Sequence, residues 1–300
     1  MTVRLALFLP VVTLLGCRVT LEEGGCDTAA SDTGGSDALA DGPWVAVSAG
    51  GLSTCAVDVD GAVLCWGELS ERLTGDAVAA GYQHACVLDA EGAVACTGRD
   101  DQGQATPPDG LVVQALALGG AHSCALEATG LVTCWGRNDE AQRTEPTTGA
   151  WTSLSAGWRH TCGLLSDGQV ACWGDDTEGQ SAAPSGGGWR AVAAGQSHTC
   201  AIDAAGALAC WGADTEGQAT PPAGEGWTDI ASGVDFSCAL DGRGAVRCWG
   251  AAGAGQLDAP AGEGWVAVTA GAGGRHACAL GAAGSLRCWG ADDWGQLAVP

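Results

Sequence analysis

The sequence contains no lysine; all twelve of its basic residues are arginine. Against 35 carboxylates they leave a formal net charge of −23. A chain so poor in positive charge gains nothing from neutralising phosphates, which excludes nucleic acid as a partner. The same shortage excludes electrostatic docking on anionic lipid. Bulky aromatic and flexible core residues are scarce as well, with one methionine, one tyrosine and two phenylalanines in 300 residues. Beyond the first sixteen residues no apolar run is long enough to cross a bilayer. Nucleophile elbow, P-loop, dinucleotide fingerprint and HExxH helix are all missing. Carboxylate pairs are plentiful, but nothing marks one of them for acid–base work. The chain therefore reads as non-enzymatic, with no cofactor and no bound metal.

What is plentiful is glycine, cysteine and tryptophan, at 50, 16 and 13 residues. With 46% of residues apolar, the chain as a whole is not disordered. Sixteen cysteines exceed what a reduced cytosolic protein usually carries, and leave disulfides after export or a metal-rich chain.

Residues 1–16 read as an export signal, with Arg4 as the charged start and Leu5 to Leu15 as a short apolar stretch. The run ends in Leu14-Leu15-Gly16-Cys17, which resembles a bacterial lipobox and implies that Cys17 carries a lipid. Residues 17–42, rich in Asp, Gly, Ser and Thr, read as an acidic flexible tether in which Cys26 has no evident partner. These features predict an exported chain held at a bacterial cell envelope or surface, touching the membrane through its lipid anchor alone.

Residues 43–300 repeat seven times. Cysteine pairs recur ten residues apart: Cys55 with Cys65, Cys86 with Cys96, Cys124 with Cys134, Cys162 with Cys172, Cys200 with Cys210, Cys238 with Cys248, and Cys278 with Cys288. Each unit folds on paper into three strands, such as 189–195, 198–203 and 207–211. The last two are joined by a hairpin whose glycine (Gly206 here) tolerates the positive φ of a three-residue loop. That register sets Cys200 against Cys210 on a non-hydrogen-bonded pair, where α-carbons approach to roughly 4.5 Å, close enough for a disulfide. The next pair inward is always aliphatic, as in Ile202 and Leu208, so cysteines and aliphatics share one bulky face. The opposite face carries small residues such as Ala201 and Gly163. A bulky face meeting a small face lets sheets stack radially, which predicts an all-β, seven-bladed β-propeller with three to four antiparallel strands per blade.

The strings HTCAIDAAGALACWGADTEGQATPP and HTCGLLSDGQVACWGDDTEGQSAAP resemble the regulator of chromosome condensation repeat family. The resemblance covers about residues 43–300 and implies the same seven-bladed fold. The 38-residue spacing is most similar to the short-repeat bacterial branch, to which a secreted β-lactamase inhibitor belongs. The chain departs from the pattern where Ser53 and Phe236 take the histidine position, where Thr97 replaces the tryptophan, and where unit one lacks the Gly-Gln loop. Chromatin binding, as in the eukaryotic namesake, is incompatible with the charge.

All five histidines (His84, His122, His160, His198 and His276) stand two residues before a first cysteine, on the cysteine face. One histidine beside two cysteines superficially resembles a zinc site. Export and register favour the other reading, a disulfide beside a structural histidine hydrogen-bonded within its own blade. Eleven tryptophans hold repeat positions and read as packing. Tyr82, Trp158, Arg159 and Arg275 fall in loops after first strands, and Trp294 in a loop after a third strand. All five map to one rim, where aromatic and arginine residues are the usual anchors of an interface. They are the candidate protein-binding residues. Acidic loops on that rim read as solvated, and no calcium motif is present. The expectation is a monomer that takes a protein partner on this rim. The alternatives are an inhibitor of a secreted or periplasmic enzyme and a purely structural surface protein.

Overall fold

The computed structural model describes residues 44–145 and 149–300. The export signal, Cys17, the tether and Cys26 lie outside the described residues.

Seven antiparallel sheets cover residues 44–74, 77–98, 115–136, 151–174, 189–212, 227–250 and 265–290, here blades 1 to 7. Six have three strands, and blade 1 adds a short fourth, Arg72–Thr74. Among the described residues no blade mixes strands from distant parts of the chain. The architecture is an all-β, seven-bladed propeller with the first strand of each blade innermost.

The hairpin glycines fix the register. Gly206 sits at φ +85°, the Gly206 N–H closes on the Asp203 carbonyl at 3.0 Å, and the pairs Ile202↔Leu208 and Cys200↔Cys210 follow. Each blade holds one disulfide, within its second and third strands. In blades 1 to 4 these join Cys55 to Cys65, Cys86 to Cys96, Cys124 to Cys134 and Cys162 to Cys172. In blades 5 to 7 they join Cys200 to Cys210, Cys238 to Cys248 and Cys278 to Cys288. The pairing is the one that the ten-residue spacing predicts. The α-carbons stand 4.0 to 4.1 Å apart, somewhat closer than an ideal non-hydrogen-bonded pair. The first cysteine of each pair is fully buried, because it sits on the central strand of its blade. The second sits on the third strand, where Cys65, covered by the fourth strand of blade 1, is still buried and Cys96, Cys134, Cys172, Cys210, Cys248 and Cys288 are half-buried. An 11-residue loop so closed adds roughly 2–3 kcal/mol in the chain-entropy model.

Each joint between blades is one apolar cluster. At the joint of blades 5 and 6, Cys200 and Ile202 meet Trp227, Ile230 and Ala239. At the joint of blades 7 and 1, Cys278, Leu280 and Leu286 meet Trp44, Ala56 and Trp66. In blade 4 the small face makes room for the tryptophan that opens the blade: a β-carbon on Gly163 would stand 2.5 Å from the Trp151 ring.

Candidate binding rim

Most of the repeat's polar residues serve the joints. At the joint of blades 3 and 4, His122 Nε2 lies 2.9 Å from Thr161 Oγ1. Thr161 donates its own proton to the Gln142 carbonyl at 2.9 Å, and Trp173 Nε1 donates to the same oxygen at 3.0 Å. Because the hydroxyl hydrogen is committed, Nε2–H is the donor toward the threonine, which fixes the neutral tautomer. The same arrangement joins His84 to Ser123, His160 to Thr199, His198 to Ser237 and His276 to Thr54. The histidines therefore bond to the next blade and not within their own, which corrects the reading from sequence. The reason is geometric: a side chain on the bulky face points at the neighbouring sheet. Burial holds all five below the ordinary 6.5, His122 and His160 at about 3 and the others at about 4. Among the described residues their Nδ1 atoms have no partner, so a second proton would find no acceptor there.

Departures from the repeat occur in matched pairs. Phe236 replaces histidine in blade 6, and Ala277 stands where the next blade would offer its hydroxyl. Ser53 replaces histidine in blade 1, and Ala85 stands opposite in blade 2. Unit one lacks the Gly-Gln loop, and blade 2 lacks the tryptophan that would donate to it, carrying Thr97. Donor and acceptor vanish together, as the cost of an unsatisfied buried polar group requires. Apolar Leu69 and Leu73 pack at that joint instead.

The acidic loops are more than solvated decoration. Asp100, Asp176, Asp214 and Asp292 each accept a backbone N–H five residues further on, at 2.7 to 2.9 Å, bracing the loop. Among the described residues no cluster of His, Cys, Asp and Glu has the arrangement of a metal site.

Five candidate residues remain that the architecture does not consume. Tyr82 belongs to blade 2 and Trp158 to blade 4, yet their rings meet edge to face with centroids 4.7 Å apart. A β-carbon on Gly273 of blade 7 would come within 2.6 Å of both rings. One on Gly51 of blade 1 would strike the Tyr82 ring, and one on Gly120 of blade 3 would stand 2.9 Å from Trp158. In a ring of seven, residues of blades 2, 4 and 7 can meet only across the axis. The pair therefore lies over the loop-side mouth of the central channel, half-buried, on a floor of glycine backbone. Backbone bonds lead from the first-strand loops of blades 1 to 6 to the loop of the following blade, among them Tyr82 N–H to Gly119, Trp158 N–H to Gly195 and Gln196 N–H to Gly233.

Arg159 flanks Trp158 and reaches Glu140 at 3.5 Å, with Nε left unpartnered. Arg275, beside the blade 7 glycines, is exposed. Trp294 is 53% exposed, and its backbone N–H is held by Gln296 Oε1 at 2.8 Å. The structure thus unites Tyr82 and Trp158 and leaves Arg275 and Trp294 outside that pair. Sequence reasoning placed all five on one rim but missed the joint residues Ser123, Thr161, Thr199, Ser237 and Thr54 with their glutamine carbonyls. Their signal was the matched departures just described.

The regulator of chromosome condensation (RCC1) repeat matches residues 76–104, 113–142, 151–180, 189–218 and 227–256. The chain belongs to this repeat family. It is similar to the ectodomain of the receptor kinase CR4 of Physcomitrella patens, at 27% identity and TM-score 0.68, over 82% of this chain and 72% of that one. It is also similar to the CRINKLY WD40 ectodomain of the Arabidopsis thaliana receptor kinase ACR4, at 25% identity and TM-score 0.67, over 83% of this chain and 98% of that one. Prp20p of Saccharomyces cerevisiae, a structure described with its binding to Gsp1p and histones, shares the fold at 16% identity and TM-score 0.65, over 82% of each chain. No curated protein matches the chain. Seven disulfides, together with the likeness to two ectodomains, mark the chain as an exported one.

Proposed function

We propose that the protein is a non-enzymatic binding module of the bacterial cell envelope, held there by lipid on Cys17, which takes a protein partner on its loop rim. One observation carries this reading: Tyr82 and Trp158 converge over the channel axis in positions that blades 1 and 3 fill with Gly51 and Gly120. Folding does not need two large aromatics there. Rigid aromatic anchors with nearby arginine are what a protein interface concentrates at its centre. Trp294, Arg159 and Arg275 extend the same rim outward. The net charge of −23 keeps such a module soluble and discourages acidic partners.

The test is cross-linking pull-down from the native envelope with the wild-type chain and with a Trp158→Ala/Trp294→Ala variant. Partner recovery is expected to fall at least tenfold for the variant, which is about 1.4 kcal/mol of binding. Equal recovery with a correctly folded variant overturns the assignment of the rim.

A further inference from the structure

The central channel encloses about 530 Å³ and is lined by the seven inner strands, whose side chains there are mostly Ala, Val and Ser. The Tyr82–Trp158 pair covers its loop-side end. The channel lies within the size range of small-ligand sites.

One position in this pocket breaks the repeat with a charge. The inner-strand residue paired to the blade's core aliphatic is Ala46, Ala77, Ala115, Ser153, Ala191, Asp229 and Ala267 in blades 1 to 7. Asp229 is buried; its Oδ1 accepts the Ile230 N–H at 2.9 Å and its Oδ2 accepts the Val268 N–H of blade 7 at 3.0 Å. Stapling an inner-strand N–H to the preceding blade does not need a carboxylate. Ser48, Ser155 and Thr269 hydroxyls do it for Ala80, Ala194 and Ala49 at 2.9 to 3.2 Å. A carboxylate in an apolar channel carries a desolvation cost that a hydroxyl avoids, and buried charges are ordinarily paired. Yet no ion pair to Asp229 forms among the described residues. Arg190 lines the pocket on the hairpin side, but its guanidinium is bound to the backbone carbonyls of Asp203 and Trp227. Each carboxylate oxygen keeps a lone pair free.

We propose that the channel is a binding site for a small primary ammonium compound with an apolar body. The ammonium donates to Asp229, and the body lies against the alanine and valine walls of the channel. This site is independent of the protein-binding rim, which faces the other way.

The test is calorimetric titration of the full-length chain with n-hexylammonium and with n-hexanol at physiological salt, where exposed carboxylates are screened. The amine is expected to bind saturably at one site, at least tenfold tighter than the alcohol. Asp229→Asn is expected to weaken the amine at least tenfold and leave the alcohol unchanged. Asp229→Ala, which restores the residue found at this position in blades 1, 2, 3, 5 and 7, is the second variant should the amide disturb the fold. Absence of saturable amine binding up to about 10 mM, equal binding to Asp229→Asn, or many weak sites abolished by salt would each overturn the proposal.

Discussion

The joint between blades 4 and 5 supplies a direct test of the hydrogen-bond ledger. Thr199→Ala removes the acceptor of the His160 Nε2–H, which lies 2.9 Å from the hydroxyl and is fully buried. An orphaned buried donor costs about 1–3 kcal/mol. The Gln180 carbonyl is not orphaned, because Trp211 Nε1 still donates to it at 2.9 Å. The chain itself suggests the cure. At the joint of blades 6 and 7, Phe236 and Ala277 occupy the two equivalent positions, and the Phe236 ring stacks on Gly233 as the His160 ring stacks on Gly157. Adding His160→Phe to Thr199→Ala transplants that apolar pair, so the double variant is expected to recover to within about 1 kcal/mol of wild type. Urea unfolding with disulfides intact reads these differences as midpoint shifts at constant slope. A single variant as stable as wild type, or a double variant that loses the sum of both single losses, would refute the reasoning.

Two further outcomes follow from the same structure. The five joint histidines take up protons at about 6.5 when unfolded but only at about 3 to about 4 when folded, so their contribution is complete above pH 6.5 and drains away as pH falls. At pH 4 each costs up to about 3 kcal/mol, against a typical total stability of about 5–15 kcal/mol. Asp229 works the other way, since burial raises it to about 6 and acid relieves it, but it is one group against five. Melting midpoints are therefore expected to drop steeply between pH 6.5 and 4, and a flat profile would count against neutral, buried histidines at the joints. Under denaturing, non-reducing conditions the fourteen paired cysteines are expected to resist alkylation, read by intact mass; free thiols among them in purified protein would contradict the staples.

The fold was legible because its information is local. A hairpin glycine such as Gly206 and a ten-residue cysteine spacing fix register within one unit, and alternation within a strand then assigns the two faces. The joints were not legible in the same way. His122 and Thr161 lie 39 residues apart, and nothing in either unit alone says that they meet. Only comparison between units, with Phe236 beside Ala277 and a missing Gly-Gln loop beside Thr97, carries that signal. The rim was half legible: strand direction put Tyr82 and Trp158 at one end, but their meeting depends on curvature closing a ring. Asp229 passed unnoticed because one acidic residue among 35 carboxylates carries no mark until its burial is seen.

The joints also have a direction. A blade with the full pattern offers histidine and a glutamine carbonyl to the next, which answers with hydroxyl and tryptophan. Blade 7 offers them to blade 1, where the Gln296 carbonyl receives both Thr54 Oγ1 and Trp66 Nε1 at 2.9 Å. The polar clasp is missing between blades 1 and 2, not where the two ends of the ring meet. A pull on Trp44 is therefore shared with blade 7 through Gln296, whereas the joint of blades 1 and 2 answers it with backbone bonds, the Ser48 hydroxyl and apolar packing alone.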